Sequence, residues 1–359
     1  MQRSGRCQRL LGGNFDRRCY GVTVPKDPAV TLKDVARHAG VSRTTASLAL
    51  SGGGRISQAT RDRVRAAARD LRYEVHVGAR NLRKERSGAV GLLLPRHTSS
   101  LAYYMEVAFG AVDAAQRGEL SITLVSSRQA EQAPGSLHVD GFLLVDPLAD
   151  DPAVAALLED RRPVVSGEDV PPELPAPAAT VSSDHRRGTR LLLDHLAEQG
   201  AGRPALVAPG PSSSWGRALR EAHRDWCRER GIEPGVAEVP FAATADDMAR
   251  ATRELLGRAD APDALVAAPD GGALAAVTAA REMGRRPGED LLVASCVDST
   301  ALRLSSPQIT ALDLHPRTLG AEGLRALLDV LENGAPSDPG PAARIPIDLR
   351  VRASTCAEA

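Results

Sequence analysis

The sequence has no apolar run that approaches the roughly 20 residues of a membrane-spanning helix. Its first 29 residues are polar and rich in glycine and arginine, and they lack the apolar core of a secretory signal. We therefore expect a cytoplasmic protein with no membrane association. Residues 1–29 are predicted to form a disordered N-terminal tail, unless they are the product of an upstream start codon.

Cysteine is rare, and the five cysteines are scattered along the chain. They form no C-x-x-C motif, and the eight histidines show no metal-ligand spacing, which argues against a disulfide framework and against a zinc site. The G-x-S-x-G and P-loop spacings of nucleophile and phosphate sites are also missing. We predict no cofactor, no metal site, no catalytic residues and no enzymatic activity.

The chain has no net charge, because 45 basic residues balance 45 acidic ones. The charges are nevertheless unevenly placed. Residues 30–87 contain 13 Lys and Arg against 5 Asp and Glu, whereas residues 88–359 contain 26 against 38. A basic region at residues 30–87 followed by an acidic remainder suggests that only the basic region binds a polyanion. Composition alone also fits a merely solvated charged surface.

Residues 30–74 have the periodicity of three short helices, which predicts a small all-α domain. The first helix begins after Thr31, which forms a predicted capping box with Asp34. The second begins after Ser42 and the third after Ser57. A turn of about three residues between the first two helices is typical of a helix-turn-helix, and the third helix completes its core. The predicted core residues are Leu32, Val35, Ala36, Ala39, Ala46, Ala49, Leu50, Val64, Ala67 or Ala68, and Leu71.

One face of the second helix points outward near the helix N-terminus, where side chains can reach base edges in a major groove. The residues on this face are Arg43, Thr44, Ser47 and Leu48. The helix N-termini at Thr31 and Ser42, together with Arg61, offer amides and a cation to phosphates. The alternative is a small helical domain whose arginines are only solvated.

The motifs of this region resemble the DNA-binding headpiece of the lactose repressor (LacI/GalR-type) family of bacterial transcription regulators. They are D-V-A-x-x-A-G-V-S at 34–42, I-S-x-x-T-R-x-R-V at 56–64 and L-x-Y at 71–73. The resemblance implies that Arg43, Thr44 and Leu48 read operator bases. Leu48 stands where the family commonly has arginine, so we expect it to make an apolar contact, for example with a thymine methyl.

Residues 75–87 match a hinge helix of the same family, which forms on the operator and inserts a leucine into the minor groove. Ala79 and Leu82 occupy the contact positions. A short segment that contains Gly78 is a poor helix by itself, so order would arrive with DNA binding. An apolar wedge can kink DNA. Leu82 could instead pack on the next domain as an ordinary linker residue.

Beyond residue 87, short apolar runs alternate with helical stretches, which predicts parallel sheets covered by helices on both faces. The predicted strands are 89–94, 121–126, 141–145, 163–166, 204–208, 263–268 and 291–296. The predicted helices are 104–117, 187–199, 215–230, 271–283 and 317–332. This α/β core is too long for one lobe, so we predict two doubly wound lobes.

The resemblance continues to Thr355 and implies a core like a periplasmic binding protein, with a ligand cleft between its lobes. Lobe 1 is assigned about 88–182 and 313–341, and lobe 2 about 183–312 and 342–355. The chain would cross between the lobes near 181–184, 312–314 and 341–345.

Register with the family proposes an effector site in this cleft. The matching residues are Tyr103, Tyr104, Asp184, Trp215, Arg217, Asp270 and Asp298. The two tyrosines suit stacking on a sugar or a base. Leu219, Val297 and Leu314 are apolar where polar residues are common in the family. Either Arg217 substitutes, or the ligand is less sugar-like, or no ligand binds, and each of these residues could serve the structure alone.

The sequence therefore predicts a sequence-specific transcriptional regulator, in particular a repressor. It would bind a pseudo-palindromic double-stranded DNA operator as a homodimer. A small-molecule effector, sugar-like or other, would modulate this binding. The alternative is a solute-binding receptor of the periplasmic-binding-protein type without DNA-binding function. An α/β enzyme is a third alternative that no set of residues recommends.

Overall fold

The computed structural model describes residues 30–51, 53–73, 86–96, 98, 102–118, 120–336 and 341–356. The chain separates into two compact units, Met1–Val77 and Gly78–Ala359. No helix within the described ranges is long and apolar enough to cross a membrane. The predicted tail and the hinge residues Ala79 and Leu82 lie outside the described residues.

In the described part of the first unit the chain forms α1 (Leu32–His38), α2 (Arg43–Ser51) and α3 (Gln58–Asp70). The hydroxyl oxygens of Ser42 and Ser57 accept backbone N–H groups of the next helix, from Thr45 and Thr60. These caps satisfy amides that the helix leaves free. The core residues are Val35, Ala36, Ala39, Ala46, Ala49, Val64, Ala67 and Ala68, with Leu32, Leu50 and Leu71 packed against them. All belong to the predicted core.

The second unit contains two sheets of six described strands each, which confirms the predicted two-lobed α/β fold. The first-lobe sheet has the order β11-β5-β4-β3-β1-β2, and the second-lobe sheet the order β12-β10-β9-β8-β6-β7. All pairings are parallel except β10 with β12. The strands are β1 (Ala89–Leu93), β2 (Ser121–Leu124), β3 (Phe142–Val145), β4 (Val164–Gly167), β5 (Ala179–Ser183), β6 (Pro204–Pro209), β7 (Gly235–Val239), β8 (Ala264–Ala267), β9 (Leu292–Ser295), β10 (Thr310–Asp313), β11 (Ala343–Ile345) and β12 (Asp348–Arg350).

Helices cover both faces of each sheet, as the parallel topology requires. In the described residues of this unit they are α4 (Ala102–Arg117), α5 (Ser127–Gln132), α6 (Pro152–Leu158), α7 (His185–Glu198), α8 (Ser214–Glu229), α9 (Ala245–Leu256), α10 (Gly272–Glu282), α11 (Thr300–Leu304) and α12 (Pro316–Asn333). Strands β7 and β12 and helices α5, α6, α9 and α11 were not among the predicted elements. Residues 342–355 were assigned to lobe 2, which is wrong for β11, because Ala343 pairs with Val181 of β5 in the first-lobe sheet.

Helices α4 and α12 approach each other closely at two glycines. A Cβ atom on Gly110 would lie 2.0 Å from the carbonyl oxygen of Arg317, and one on Gly320 would lie 1.9 Å from that of Val107. Only glycine fits at such positions. This contact fixes α4, whose first turn carries Tyr103 and Tyr104 into the space between the lobes.

Candidate DNA-binding surface and ligand cleft

The outward face of α2 carries the side chains predicted to read bases. Ser42 precedes the helix, and its hydroxyl oxygen accepts the Thr45 N–H at 3.0 Å. The buried side of α2 holds Ala46 and Ala49, so the opposite side faces solvent. Its residues are Arg43, Thr44, Ser47 and Leu48, all exposed except the half-buried Ser47. The structure therefore brings these four residues together, and their contact with bases stays a prediction.

Two residues predicted to contact phosphate have partners inside the first unit. The backbone N–H and the hydroxyl of Thr31 donate to the Asp34 carboxylate at 3.0 and 2.6 Å. These hydrogen bonds hold the pKa of Asp34 below its usual value. The Arg61 guanidinium donates to the carbonyl oxygens of Gly54 and Ile56, at 3.1 and 3.4 Å. Arg61 thus braces the loop between α2 and α3, a role that the sequence analysis missed.

A cavity with about 380 Å³ of empty space, part of it open to solvent, lies between the two lobes. Its wall residues follow strands of both sheets, so the carboxyl ends of the two parallel sheets face each other across it. Ligands bind at this end of open α/β sheets. The wall consists of Tyr103, Tyr104, Asp146, His185, Trp215, Phe241, Pro269, Asp270, Val297 and Leu314.

Four of the seven predicted effector residues line this cavity, namely Tyr103, Tyr104, Trp215 and Asp270. The two tyrosine rings meet edge to face with centroids 5.1 Å apart. Trp215 meets Phe241 in the same way at 5.9 Å. Edge-to-face contacts fix ring orientation, so the cavity has a rigid aromatic wall.

The other three predicted effector residues are held elsewhere. Asp184 caps α7 by accepting the Arg187 N–H at 3.0 Å, and it lines an adjoining hollow. Arg217 pairs with Glu173 at 2.8 Å. Asp298 forms a bidentate pair with Arg352 at 2.8 and 2.7 Å. Arg217 and Asp298 therefore do not line this cavity, because ion pairs direct both side chains to protein partners, and their role in effector binding stays a prediction.

A buried polar cluster beside the cavity contains two acidic residues, Asp146 and Glu168, that were not predicted from the sequence. The Tyr104 hydroxyl donates to Asp146 Oδ2 at 2.9 Å. Glu168 accepts the Ser183 hydroxyl at 3.0 Å, and its Oε2 lies 2.9 Å from His185 Nε2. Asp146 and Glu168 directly follow β3 and β4. An acidic residue at the carboxyl end of each predicted strand was the available signal.

Burial shifts the protonation equilibria of this cluster. Burial and the neighbouring Glu168 raise the pKa of Asp146 to about 7, although His185 and the Tyr104 hydroxyl favour its carboxylate. Burial disfavours the charged form of His185, but the carboxylates of Glu168, Asp146 and Asp169 together outweigh it and raise the pKa of the imidazole. Burial also raises the pKa of Asp270, against hydrogen bonds from the Tyr103, Ala102 and Gly271 amides. Asp146 and Asp270 therefore titrate closer to neutrality than free carboxylates do.

Direct contacts between the lobes border the cavity. The Tyr103 N–H donates to Asp270 Oδ2 at 3.1 Å, and the Ala149 N–H donates to the Ser212 carbonyl at 2.8 Å. The Arg217–Glu173 and His185–Glu168 pairs also join one lobe to the other. A change in the cavity can therefore alter how the lobes meet. Among the described residues no group of three His, Cys, Asp or Glu could hold a metal ion.

Two family models match the chain. Residues 31–75 match bacterial regulatory proteins of the lacI family, and residues 193–355 match the periplasmic binding protein-like domain. The first match covers the helix-turn-helix, and the second covers the second lobe together with α12, β11 and β12. The order of the two matches is that of the two compact units.

Similar proteins and solved structures cover nearly the whole chain. The HTH-type transcriptional regulator CelR of Thermobifida fusca is 32% identical over 83% of this chain and 91% of its own length. The lactose operon repressor of Escherichia coli K12 is 30% identical over 85% and 86%.

Among solved structures, a CelR–cellobiose complex superposes with a TM-score of 0.68 at 30% identity, over 90% of this chain and 99% of that one. A lac repressor dimer bound to operator and the anti-inducer ONPF gives 0.76 at 26% identity, over 92% and 100%. These relatives are transcription regulators that align with nearly the whole of this chain. The chain belongs to the LacI family of bacterial regulatory proteins.

Proposed function

We propose that this protein is a transcriptional repressor that binds a pseudo-palindromic operator as a homodimer and responds to a small molecule bound between its lobes. The observation that carries the proposal is the exposed face of α2 at a capped helix N-terminus, in a chain whose second unit has a cavity between its lobes. Because the target is chromosomal DNA, we place the protein in the cytoplasm.

Base reading is assigned to the outward face of α2. Arg43 can donate two hydrogen bonds to a guanine, whereas Leu48, 38% exposed, offers an apolar surface to a thymine methyl. The capped N-termini of α1 and α2 present amides to phosphates. The operator is therefore expected to differ from those read by relatives with arginine at the Leu48 position.

Dimerisation is supported by an exposed apolar stripe on α4. Met105, Phe109 and Val112 follow at helical spacing and are 38%, 45% and 37% exposed. Apolar side chains grouped on one helix face commonly mark an interface. The lac repressor of the similar structure is a dimer on its operator. We place a second copy of this chain on the stripe.

The effector is proposed to act through the contacts that join the lobes. A ligand with higher affinity for one lobe arrangement shifts the equilibrium toward that arrangement. If the operator also favours one arrangement, the two binding events are coupled. The cellobiose bound by the similar CelR structure supports a ligand of sugar size.

A gel-shift titration with the DNA upstream of the protein's own gene tests the proposal. We expect specific binding that weakens steeply with salt, because phosphate contacts release counterions. Arg43→Ala should reduce discrimination between specific and random DNA by about 1–3 kcal/mol. The matched control is Arg128→Ala on α5, which removes an exposed arginine from the second unit and leaves the helix-turn-helix unchanged.

Failure of the folded chain to bind any upstream fragment at low salt would favour the solute-binding receptor. A loss of affinity equal for both variants, or equal on both kinds of DNA, would contradict base reading by Arg43.

A further inference from the structure

The cavity wall carries more negative than positive charge. Asp146 and Asp270 line it, and no lysine or arginine does so among the described residues. Its single basic side chain is His185, whose Nε2 lies 2.9 Å from the buried Glu168. Glu168 lies beside His185, and neither Asp146 nor Asp270 has a lysine or arginine next to it on the described wall. Ionising a buried carboxylate is costly, so both carboxyls take up a proton more readily than free ones unless a positive group enters.

Of the two carboxylates in the wall, Asp146 accepts fewer hydrogen bonds from the protein. Asp270 accepts backbone amides of Tyr103, Ala102 and Gly271, whereas Asp146 accepts only the Tyr104 hydroxyl, on Oδ2. Within the described part of the chain, no donor reaches Asp146 Oδ1. Burial and the neighbouring Glu168 raise its pKa to about 7. A protonated amine would supply both the missing donor and the missing positive charge.

Trp215 offers the complementary group on the same wall. The indole is only 9% exposed, and its Nε1–H has no acceptor among the described residues. A buried donor without an acceptor costs free energy until an oxygen reaches it. The rings of Trp215 and Phe241, 5.9 Å apart, also provide faces on which a sugar ring can stack.

On the basis of the proposed effector role, we propose that the cavity binds a small sugar-like ligand with a protonated primary amine, as in an amino sugar. The ammonium group lies against Asp146, and a hydroxyl oxygen of the ligand accepts the Trp215 Nε1–H. Phosphorylated or carboxylated sugars are disfavoured, because Asp270 and ionised Asp146 repel them and no lysine or arginine lines the described wall.

The test is isothermal titration calorimetry of the full chain at pH 7 with matched sugars. The probes are 6-amino-6-deoxy-D-glucose, 2-amino-2-deoxy-D-glucose, D-glucose and D-glucose 6-phosphate. We expect at least one amine to bind about tenfold more tightly than glucose, and no binding of the phosphate. Repeating the titration in buffers of different ionisation heat should show proton release with the 6-amine, because the ammonium group displaces the proton of Asp146.

Two variants test whether Asp146 causes the preference for an amine. In Asp146→Asn the amines and glucose should bind equally, within about twofold. Asp260→Asn removes the same charge from an exposed turn of the second lobe and should retain the wild-type preference. Any of three results overturns the proposal. The amine preference survives in Asp146→Asn, or glucose or glucose 6-phosphate binds as tightly as both amines, or neither amine binds.

The outcome is separable from that of the proposed function. A chain that binds its operator but shows no amine preference refutes the ligand class alone. A chain that binds the amine through Asp146 but never changes its operator affinity supports the ligand class and refutes the effector role.

Discussion

The Asp146 carboxyl links folding to pH. The folded protein holds its proton up to about pH 7, whereas the unfolded chain releases it near 3.8. The folded state therefore binds more protons between these values, and this contribution to the free energy of unfolding falls as pH rises through them. His185, whose pKa is also raised, acts in the same direction.

Replacing Asp146 should remove this dependence. Asp146→Asn keeps an oxygen for the Tyr104 hydroxyl and carries no charge, so it should raise the free energy of unfolding by about 1–3 kcal/mol at pH 8. At pH 4 the variant and the wild type should be nearly equal. Urea denaturation at both pH values measures the difference, with Asp260→Asn as control. An increment that does not change with pH would refute the buried-carboxyl account.

The ion pair between Asp298 and Arg352 gives a second prediction for single residues. Asp298→Ala leaves the Arg352 guanidinium, whose side chain is 11% exposed, without its bidentate partner. The free energy of unfolding should fall by about 3 kcal/mol, as measured by urea denaturation. Asp348→Ala removes an exposed partner of Arg350 and should change it by less than about 1 kcal/mol. If Asp298→Ala lowers the free energy of unfolding by less than about 1 kcal/mol, the ion pair does not stabilise the fold and Asp298 is again a candidate ligand contact.

Side-chain partners were the part of the site that the sequence could not predict. Tyr103, Tyr104, Trp215 and Asp270 were predicted in the cleft from register with the family, and all four line the cavity. Asp146 and Glu168 were not chosen although both follow strands, because their partners Tyr104, Ser183 and His185 are distant in sequence. Both residues have positive φ values, 45° and 83°, a conformation rare outside glycine that the tertiary structure imposes.

At the scale of elements, the contact between α4 and α12 depends on glycine. Gly320→Ala places a methyl group 1.9 Å from the Val107 carbonyl oxygen, so the helices must separate. We expect a loss of about 2 kcal/mol or more in the free energy of unfolding. Gly118→Ala is the control, because its Cβ would meet its nearest neighbour at 3.6 Å. Thermal denaturation that shows equal effects would contradict the close-packing account.

The pattern of apolar residues predicted most helices and strands but not their partners. The three headpiece helices followed from strong periodicity and from the caps Ser42 and Ser57. The edge strand β7 was not predicted, because Gly235–Val239 is short and its apolar residues are interrupted by the exposed Glu238. Strand β11 was recognised as a crossing segment but assigned to the wrong lobe, because a sequence pattern shows which face of a strand is buried and not which sheet it joins.

At the scale of the whole molecule, operator binding should depend on pairing of two chains. Phe109→Glu puts a charge in the middle of the apolar stripe on α4 and should convert the dimer to a monomer. Because one headpiece makes few base contacts, operator affinity should fall by about a hundredfold or more. Light scattering after size-exclusion chromatography reports the mass, and a gel shift reports the affinity.

The control for dimerisation is Leu191→Glu, which changes an exposed leucine on α7 of the second lobe. We expect it to remain a dimer and to retain operator affinity. If the Phe109→Glu protein stays dimeric, the interface between the two chains does not lie on α4.

Neither lobe is continuous along the chain, since the first-lobe sheet requires β11 and the second-lobe sheet requires β12. During translation the headpiece helices emerge early and can close their own core. The first lobe must wait, with one edge of β5 unpaired, until residues 343–345 have left the ribosome. Nascent chains with open strand edges are prone to aggregate. A nonsense mutation ahead of Ala343 would therefore release a polypeptide with a finished DNA-reading unit and an unfinished body, a target for proteases and chaperones.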